Sequence, residues 1–398
     1  MLEDGLVGGA QYFDAQVTFA ERLILENIIS AQEAGADVRN YSPVIGINVR
    51  EGAVQGLHFS DHATGEEIEV SARIIINAAG PWVDRVLATV NREMPQFMGG
   101  TKGSHIVVGK FNGAPSSAFY VEAKKDGRPF FIIPWNDQYL VGTTDIRYDG
   151  DPADVKASRE EIDYLLAETN RVFPAADLTV ADIHYAYAGV RPLPKRDKGP
   201  ESAITRKHLI LKHRKQARGL ISIIGGKLTT YRNLAEQAVN KAVRLLDKGR
   251  SRCQTRDEPL PGSSELDAVT EQLQGSAVLS ARCIERLLSI YGSRAIGIAR
   301  MVEQSEPGGF IDDQQLVPAA EVVHVIRNEY AVTLVDILHR RMMLGLSPDQ
   351  GEMLAETIAQ VAAAEAGWDR AVTEQQLLAL RTYNAKFRPA AGDRHGNA

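Results

Sequence analysis

The sequence predicts an α/β region over residues 1–262, followed by an all-helical domain over 263–398. Three observations carry this. Short apolar runs bounded by polar turns recur as far as Ile224 and read as strands. A polar stretch with Pro259, Pro261 and Gly262 marks a linker over 247–265. Beyond it, apolar residues recur at helical spacing, most clearly from Glu321 to Gly345 (Val322, Val323, Ile326, Leu334, Ile337, Leu338).

From the N-terminus, Asp14 to Gly35 is predicted to be an amphipathic helix with Val17, Ala20, Leu23, Ile24, Ile28 and Ala31 on its apolar face and Gly35 as its stop. Val44–Val49, Val54–Phe59 and Ile68–Val70 form a predicted meander that turns at Asp61–Glu66. The run Arg73–Asn77 is apolar enough for a strand buried on both faces, and it enters the small-residue turn Ala78-Ala79-Gly80. Ser104–Val108, Phe130–Pro134 and Tyr139–Gly142 are further strands. Ser158 with Glu161 is a capping box that opens a helix. Leu220–Ile224 reads as a buried strand that runs through Gly225-Gly226-Lys227 into a helix carrying Leu234, Ala235, Ala238, Val239 and Ala242.

The 398 residues include 45 basic and 51 acidic side chains, a net charge of −6, and 44% are apolar. That balance argues against a nucleic-acid partner and against disorder. The two cysteines, Cys253 and Cys283, are too few for a disulfide framework and fit a reducing compartment. No apolar run approaches the roughly 20 residues of a membrane helix, and Met1–Gly5 has no secretory pattern. A cytoplasmic location is expected, with peripheral membrane attachment left open.

Three places could carry chemistry. Asn77, Ala78, Ala79 and Gly80 are either a plain tight turn or a point where a ligand approaches the backbone at a strand end. Gly225, Gly226, Lys227, Leu228 and Thr229 lie between a strand and a helix, where unpaired N–H groups favour negative charge. A P-loop is excluded, because Ile221 and Leu228 stand where glycine and a hydroxyl residue are required. His105, Arg191 and Arg206 supply a proton acceptor and two planar cations suited to phosphate or carboxylate, although each alone also fits a surface or structural role. His184, His208 and His213 read as structural or solvent-facing, and no metal site is expected.

Eight segments in this order resemble the FAD-dependent glycerol-3-phosphate dehydrogenases: Tyr12–Val17, Ile76–Val83, Gly103–Val108, Ile133–Trp135, Gly142–Asp145, Gly189–Leu193, Ala203–Arg206 and Gly225–Arg232. Arg327–Asp336 resembles the family's C-terminal domain. The resemblance implies a glutathione-reductase-like FAD-binding fold with a β-sheet substrate part. It also implies oxidation of glycerol 3-phosphate at C2 to dihydroxyacetone phosphate, in glycerol metabolism. Arg206 is then expected on the phosphate, Arg191 near the flavin and the substrate oxygen, and His105 as the base. Lys227 is expected to face substrate and flavin, with Gly225–Thr229 and Asn77–Gly80 on the two sides of the flavin crevice.

The family's N-terminal Gly-x-Gly-x-x-Gly turn is not matched, since Gly5, Gly8 and Gly9 have the wrong spacing. The chain therefore reads as N-terminally truncated. Membrane quinone as acceptor, attachment at the inner face of the cytoplasmic membrane and a homodimer are further expectations of the resemblance. Two competing readings are a flavin-free, non-catalytic remnant and an amine or amino-acid oxidase of the same flavoprotein superfamily.

Overall fold

The computed structural model describes residues 8–90, 93–196, 204–205, 207–249 and 252–389. The first helix, α1 (Ala20–Glu33), starts later than its apolar pattern predicts. Thr18 precedes it in non-helical chain, and its carbonyl accepts the indole N–H of Trp135 at 2.8 Å. The buried face of α1 also differs from the predicted one: Arg22, Leu25, Glu26 and Ile29 point inward, whereas Ile24 is half exposed. Arg22 is drawn in by a bidentate pair with buried Glu329, at 2.5 and 2.8 Å.

Strands β1 (Val44–Arg50), β2 (Ala53–Ser60) and β3 (Glu67–Ser71) form the predicted antiparallel meander. Gly65, at φ +75°, closes the β2–β3 turn as its N–H donates to the Asp61 carbonyl. Strand β4 (Ile75–Asn77) is followed by the one-turn helix Gly80–Trp82 and α2 (Val83–Ala88). The prediction that this strand is buried on both faces is corrected: Ile75 is buried, but Ile76 is 39% exposed. Among the described residues β4 pairs with one neighbour only, so one edge stays open.

The central sheet is antiparallel. It contains β5 (Thr101–Val108), β6 (Phe119–Glu122), β7 (Pro129–Trp135), β8 (Gln138–Gly142), β9 (Ile146–Arg147) and, after α3 (Arg159–Val172), β10 (Ile183–Arg191). Its order is β10-β5-β8-β7-β6, with β9 beside β5. The capping box of α3 forms as predicted, Ser158 accepting from the Glu161 N–H and Glu161 from the Ser158 N–H. One face of the sheet buries Ile106, Val141, Ile132 and Ala186 against Ile162, Leu165 and Leu166 of α3. Because side chains alternate along a strand, the next residue of each strand lies on the opposite face, which is the site face.

Strands β11 (Leu209–Lys212) and β12 (Leu220–Ile224) complete a small sheet, β12 running parallel to β4, and α4 (Tyr231–Leu245) follows. Of the apolar face predicted for α4, only Ala238 is fully buried and Val239 is 54% exposed.

The helical part comprises α5 (Leu266–Gln274), α6 (Ala281–Tyr291), α7 (Ala295–Gln304), α8 (Ala319–Asn328), α9 (Ala355–Ala366) and α10 (Arg370–Ala385) around one core that includes Leu287, Ile298, Leu334 and Ile358. The predicted periodicity across Glu321–Gly345 is interrupted: Tyr330 takes a left-handed conformation, and Asp336–Arg341 continues as a π-helix. No helix among the described residues is long and apolar enough to cross a membrane.

Candidate functional site

The site face is built by strand register. Tyr187, His105, Gly142, Phe131 and Tyr120 stand opposite one another in a single row across β10, β5, β8, β7 and β6. His105 leans over Gly142, where a Cβ would overlap the imidazole, so only glycine admits the ring. On its other side the ring stacks on Tyr187, with centroids 5.1 Å apart and an interplanar angle of 14°. Nδ1 of His105 is enclosed and has no hydrogen-bond partner. Burial, assisted by the Arg191 charge, pushes the imidazole pKa down to about 4. The ring is therefore neutral at pH 7 and can accept a proton.

Arg191 ends β10, and its guanidinium lies over Gly103, again where a Cβ would collide. Its Nη1 pairs with Asp145 at 3.0 Å, and its Nη2 donates to Thr143 Oγ1 and the Thr144 carbonyl, both at 3.0 Å. Of the sequence-predicted residues, His105 and Arg191 are thus brought onto one face of one sheet. Arg206 lies outside the described residues.

Two loops leave the same end of the parallel pair β4 and β12, at the carboxyl ends of both strands. Open α/β sheets bind ligands in this position. After β4, the Asn77 side chain accepts from the Ala79 N–H and donates to the Val83 carbonyl. Its side chain thus holds the turn that carries Ala78, Ala79 and Gly80. The Gly80–Trp82 turn lies against β10, bringing this loop to the strand that carries Arg191.

After β12, Gly225 and Gly226 adopt φ +76° and +105°. A side chain on Gly225 would press on the Lys207 carbonyl, and one on Gly226 on Leu234. The N–H groups of Gly226, Lys227, Leu228 and Thr229 donate to no backbone carbonyl among the described residues, and no side chain caps the following turn. Unpaired N–H groups, a 15-residue helix behind them and exposed Leu228 suit the polar edge and the apolar face of a flavin ring. These residues fit the ring end of FAD. The Lys227 side chain is exposed, and among the described residues no hydrogen bond or ion pair joins it to Arg191 or His105. An open cleft of about 660 Å³ lies at the opposite, amino ends of β4 and β12, lined by Arg73, Ile74, Arg218 and Gly219, away from these loops.

Sequence reasoning left out Asp145, Thr143, Arg128 and Tyr187. Thr143 and Asp145 lie within the Gly142–Asp145 segment already singled out, but nothing local in the sequence gives Asp145, Arg128 or Tyr187 a partner. His184, hydrogen-bonded to Gln138, and His213, bonded to buried Ser222, are structural as expected.

The class follows from fold and loops together. A family model described as FAD dependent oxidoreductase matches residues 1–232, and one described as the C-terminal domain of alpha-glycerophosphate oxidase matches 253–373. A glycerol-3-phosphate dehydrogenase of Synechocystis is 43% identical over 95% of this chain and 71% of its own length. An aerobic glycerol-3-phosphate dehydrogenase of Staphylococcus haemolyticus is 33% identical over 85% of this chain, which spans 62% of that protein. The crystal structure of the Bacillus halodurans glycerol-3-phosphate dehydrogenase complexed with FAD superposes with a TM-score of 0.79 at 27% identity, over 94% of this chain and 74% of that one. The chain belongs to the FAD-dependent glycerol-3-phosphate dehydrogenase family.

Proposed function

We propose that the protein oxidises sn-glycerol 3-phosphate at C2 to dihydroxyacetone phosphate. FAD, when bound, supplies the acceptor for the C2 hydride. His105 takes the hydroxyl proton, since its neutral ring keeps an acceptor lone pair at pH 7. Arg191 faces the substrate oxygen and stabilises the negative charge that develops there. Arg206 and Lys227 bind the phosphate end. Gly225–Thr229 would hold the flavin ring through backbone N–H groups, and Asn77, Ala78, Ala79 and Gly80 would line the crevice opposite them. The observation that carries this reading is the placement of His105 and Arg191 on the same face of the site sheet, where the Arg191 charge helps to keep the imidazole neutral. Membrane quinone is the proposed acceptor, reached by peripheral attachment at the inner face of the cytoplasmic membrane, with the protein as a homodimer.

The test is turnover of the purified protein with glycerol 3-phosphate against glycine, with a soluble quinone analogue or dioxygen as acceptor. Dihydroxyacetone phosphate formed at the expense of the quinone analogue supports the reading. Turnover of glycine instead assigns an amino-acid oxidase, and flavin-free protein without turnover assigns a non-catalytic role.

The base also sets a pH dependence. Protonating His105 removes its acceptor lone pair, so kcat/KM should fall as pH drops through about 4 and stay level above it on this limb. In the unfolded chain the same ring titrates near its ordinary value of 6.5, so the unfolded state binds this proton first. The stability contributed by the neutral buried ring is complete above about pH 6.5 and is lost as the pH falls towards about 4. Denaturant midpoints of native and His105→Asn protein at pH 7 and pH 5 check the sign: the gap between them should narrow at the lower pH.

A further inference from the structure

Asp145 sits where the chain leaves β8 and is almost fully enclosed, its side chain 7% exposed. Each of its carboxylate oxygens takes a different guanidinium. Oδ1 accepts from Arg191 Nη1 at 3.0 Å, and Oδ2 accepts from Arg128 Nη2 at 2.8 Å. Arg128 also binds the Asp145 carbonyl through Nη1 at 3.0 Å, so its fork grips both the side chain and the backbone of one residue. Arg128 lies directly before β7, Asp145 follows β8 and Arg191 ends β10, so the clamp ties together three separate parts of the site sheet.

We propose that Asp145, braced by Arg128, is a positioning residue that fixes the plane of the Arg191 guanidinium beside His105. The proposal rests on the reading of Arg191 as the cation that faces the substrate oxygen. The geometry favours it over a simple turn-closing ion pair. The tripeptide Thr143-Thr144-Asp145 holds the Arg191 head by three hydrogen bonds, two on Nη2 and one on Nη1, which together fix both position and plane. The room for that plane is made by Gly103. The charge count points the same way. A lone carboxylate would neutralise Arg191, whereas two guanidinium groups on one carboxylate leave one net positive charge at the cluster. A positive charge held in a fixed place is what stabilises an alkoxide-like transition state without reorganisation.

The test uses the full chain with Asp145→Asn, Asp145→Glu and Arg128→Gln. With glycerol 3-phosphate, Asp145→Asn should lower kcat by about 100-fold with a smaller change in KM, because a misplaced charge is missed most in the transition state. Asp145→Glu keeps the charge and should recover the rate to within about tenfold of native. Arg128→Gln leaves Asp145 in place and should cost about tenfold, and it remains readable if Asp145→Asn does not fold. A crystal structure of Asp145→Asn supplies a readout independent of flavin: the Arg191 head should leave hydrogen-bond reach of Thr143 Oγ1, beyond about 3.5 Å. Kinetics within about threefold of native, or an Arg191 head still bonded to Thr143, would overturn the proposal. If the unsubstituted chain itself oxidises no glycerol 3-phosphate, the proposed function fails, and the crystallographic arm alone still decides whether Asp145 positions Arg191.

Discussion

Replacing His105 with alanine in the flavin-loaded protein is expected to slow flavin reduction by glycerol 3-phosphate by about 10²–10⁴-fold, the range for losing a general base. The size of the effect follows from how completely the ring is prepared. Gly142 admits it, Tyr187 fixes its plane, and burial beside Arg191 keeps it neutral. No other titratable side chain stands in the row Tyr187–His105–Gly142–Phe131–Tyr120 except the two tyrosines. Of these, Tyr187 is pushed well above its ordinary range by burial and the nearby Glu21, so it holds its proton at neutral pH. Single-turnover stopped-flow separates the step from binding: the apparent Kd should change little while the limiting rate collapses. His105→Asn, which fills more of the space, should fall in the same range, whereas a rate within about threefold of native for both would remove the assignment.

Arg22→Ala is expected to destabilise the protein by about 3–5 kcal/mol, the cost of leaving a buried charge without its partner. The Arg22 guanidinium is enclosed, 5% exposed as a residue, and its partner Glu329 is fully buried. Besides the bidentate pair with Glu329, Nε donates to the Ile290 carbonyl at 2.9 Å, and the guanidinium carbon lies 4.5 Å from the centre of the Tyr291 ring. Tyr291 in turn donates to Glu321, which Arg286 clamps at 2.7 and 3.1 Å. Removing Arg22 leaves the buried Glu329 carboxylate without its bidentate partner, beside the His324 imidazole, whose Nε2 is 3.8 Å away, so the site must bind a proton or admit water. Urea denaturation at pH 7 measures the loss. Pairing Arg22→Met with Glu329→Leu should recover most of it, because a buried ion pair and a packed apolar pair are often of similar stability. A single-variant loss below about 1 kcal/mol would mean that the network is wetter than its burial indicates.

That same pair explains where the sequence misled. Helical spacing of apolar residues put Leu23, Ile24 and Ile28 on the inner face of α1, and the structure turns Arg22 and Glu26 inward instead. Periodicity records apolar residues and is blind to a charge whose partner lies 307 positions away. The continuous run Arg73–Asn77 likewise predicted burial on both faces, but burial also depends on what packs against each face, and Ile76 meets solvent. By contrast, the meander, the Ser158–Glu161 cap and the strand–glycine–helix passage at 220–245 depend on local turn and cap chemistry, which the sequence writes directly.

For the site, residue types and turns marked His105, Arg191 and the Gly225–Gly226 loop as candidates. They could not select Asp145, Arg128 or Tyr187. The role of each of these residues exists only in the cross-strand register that sets it beside another side chain.

The most direct measurement is an anaerobic titration of the purified full chain with glycerol 3-phosphate, following the visible absorption of its flavin. One equivalent should bleach one equivalent of bound flavin and release dihydroxyacetone phosphate. A yellow protein whose spectrum glycerol 3-phosphate leaves unchanged, or a colourless one that gains no flavin spectrum when FAD is added, would contradict the account.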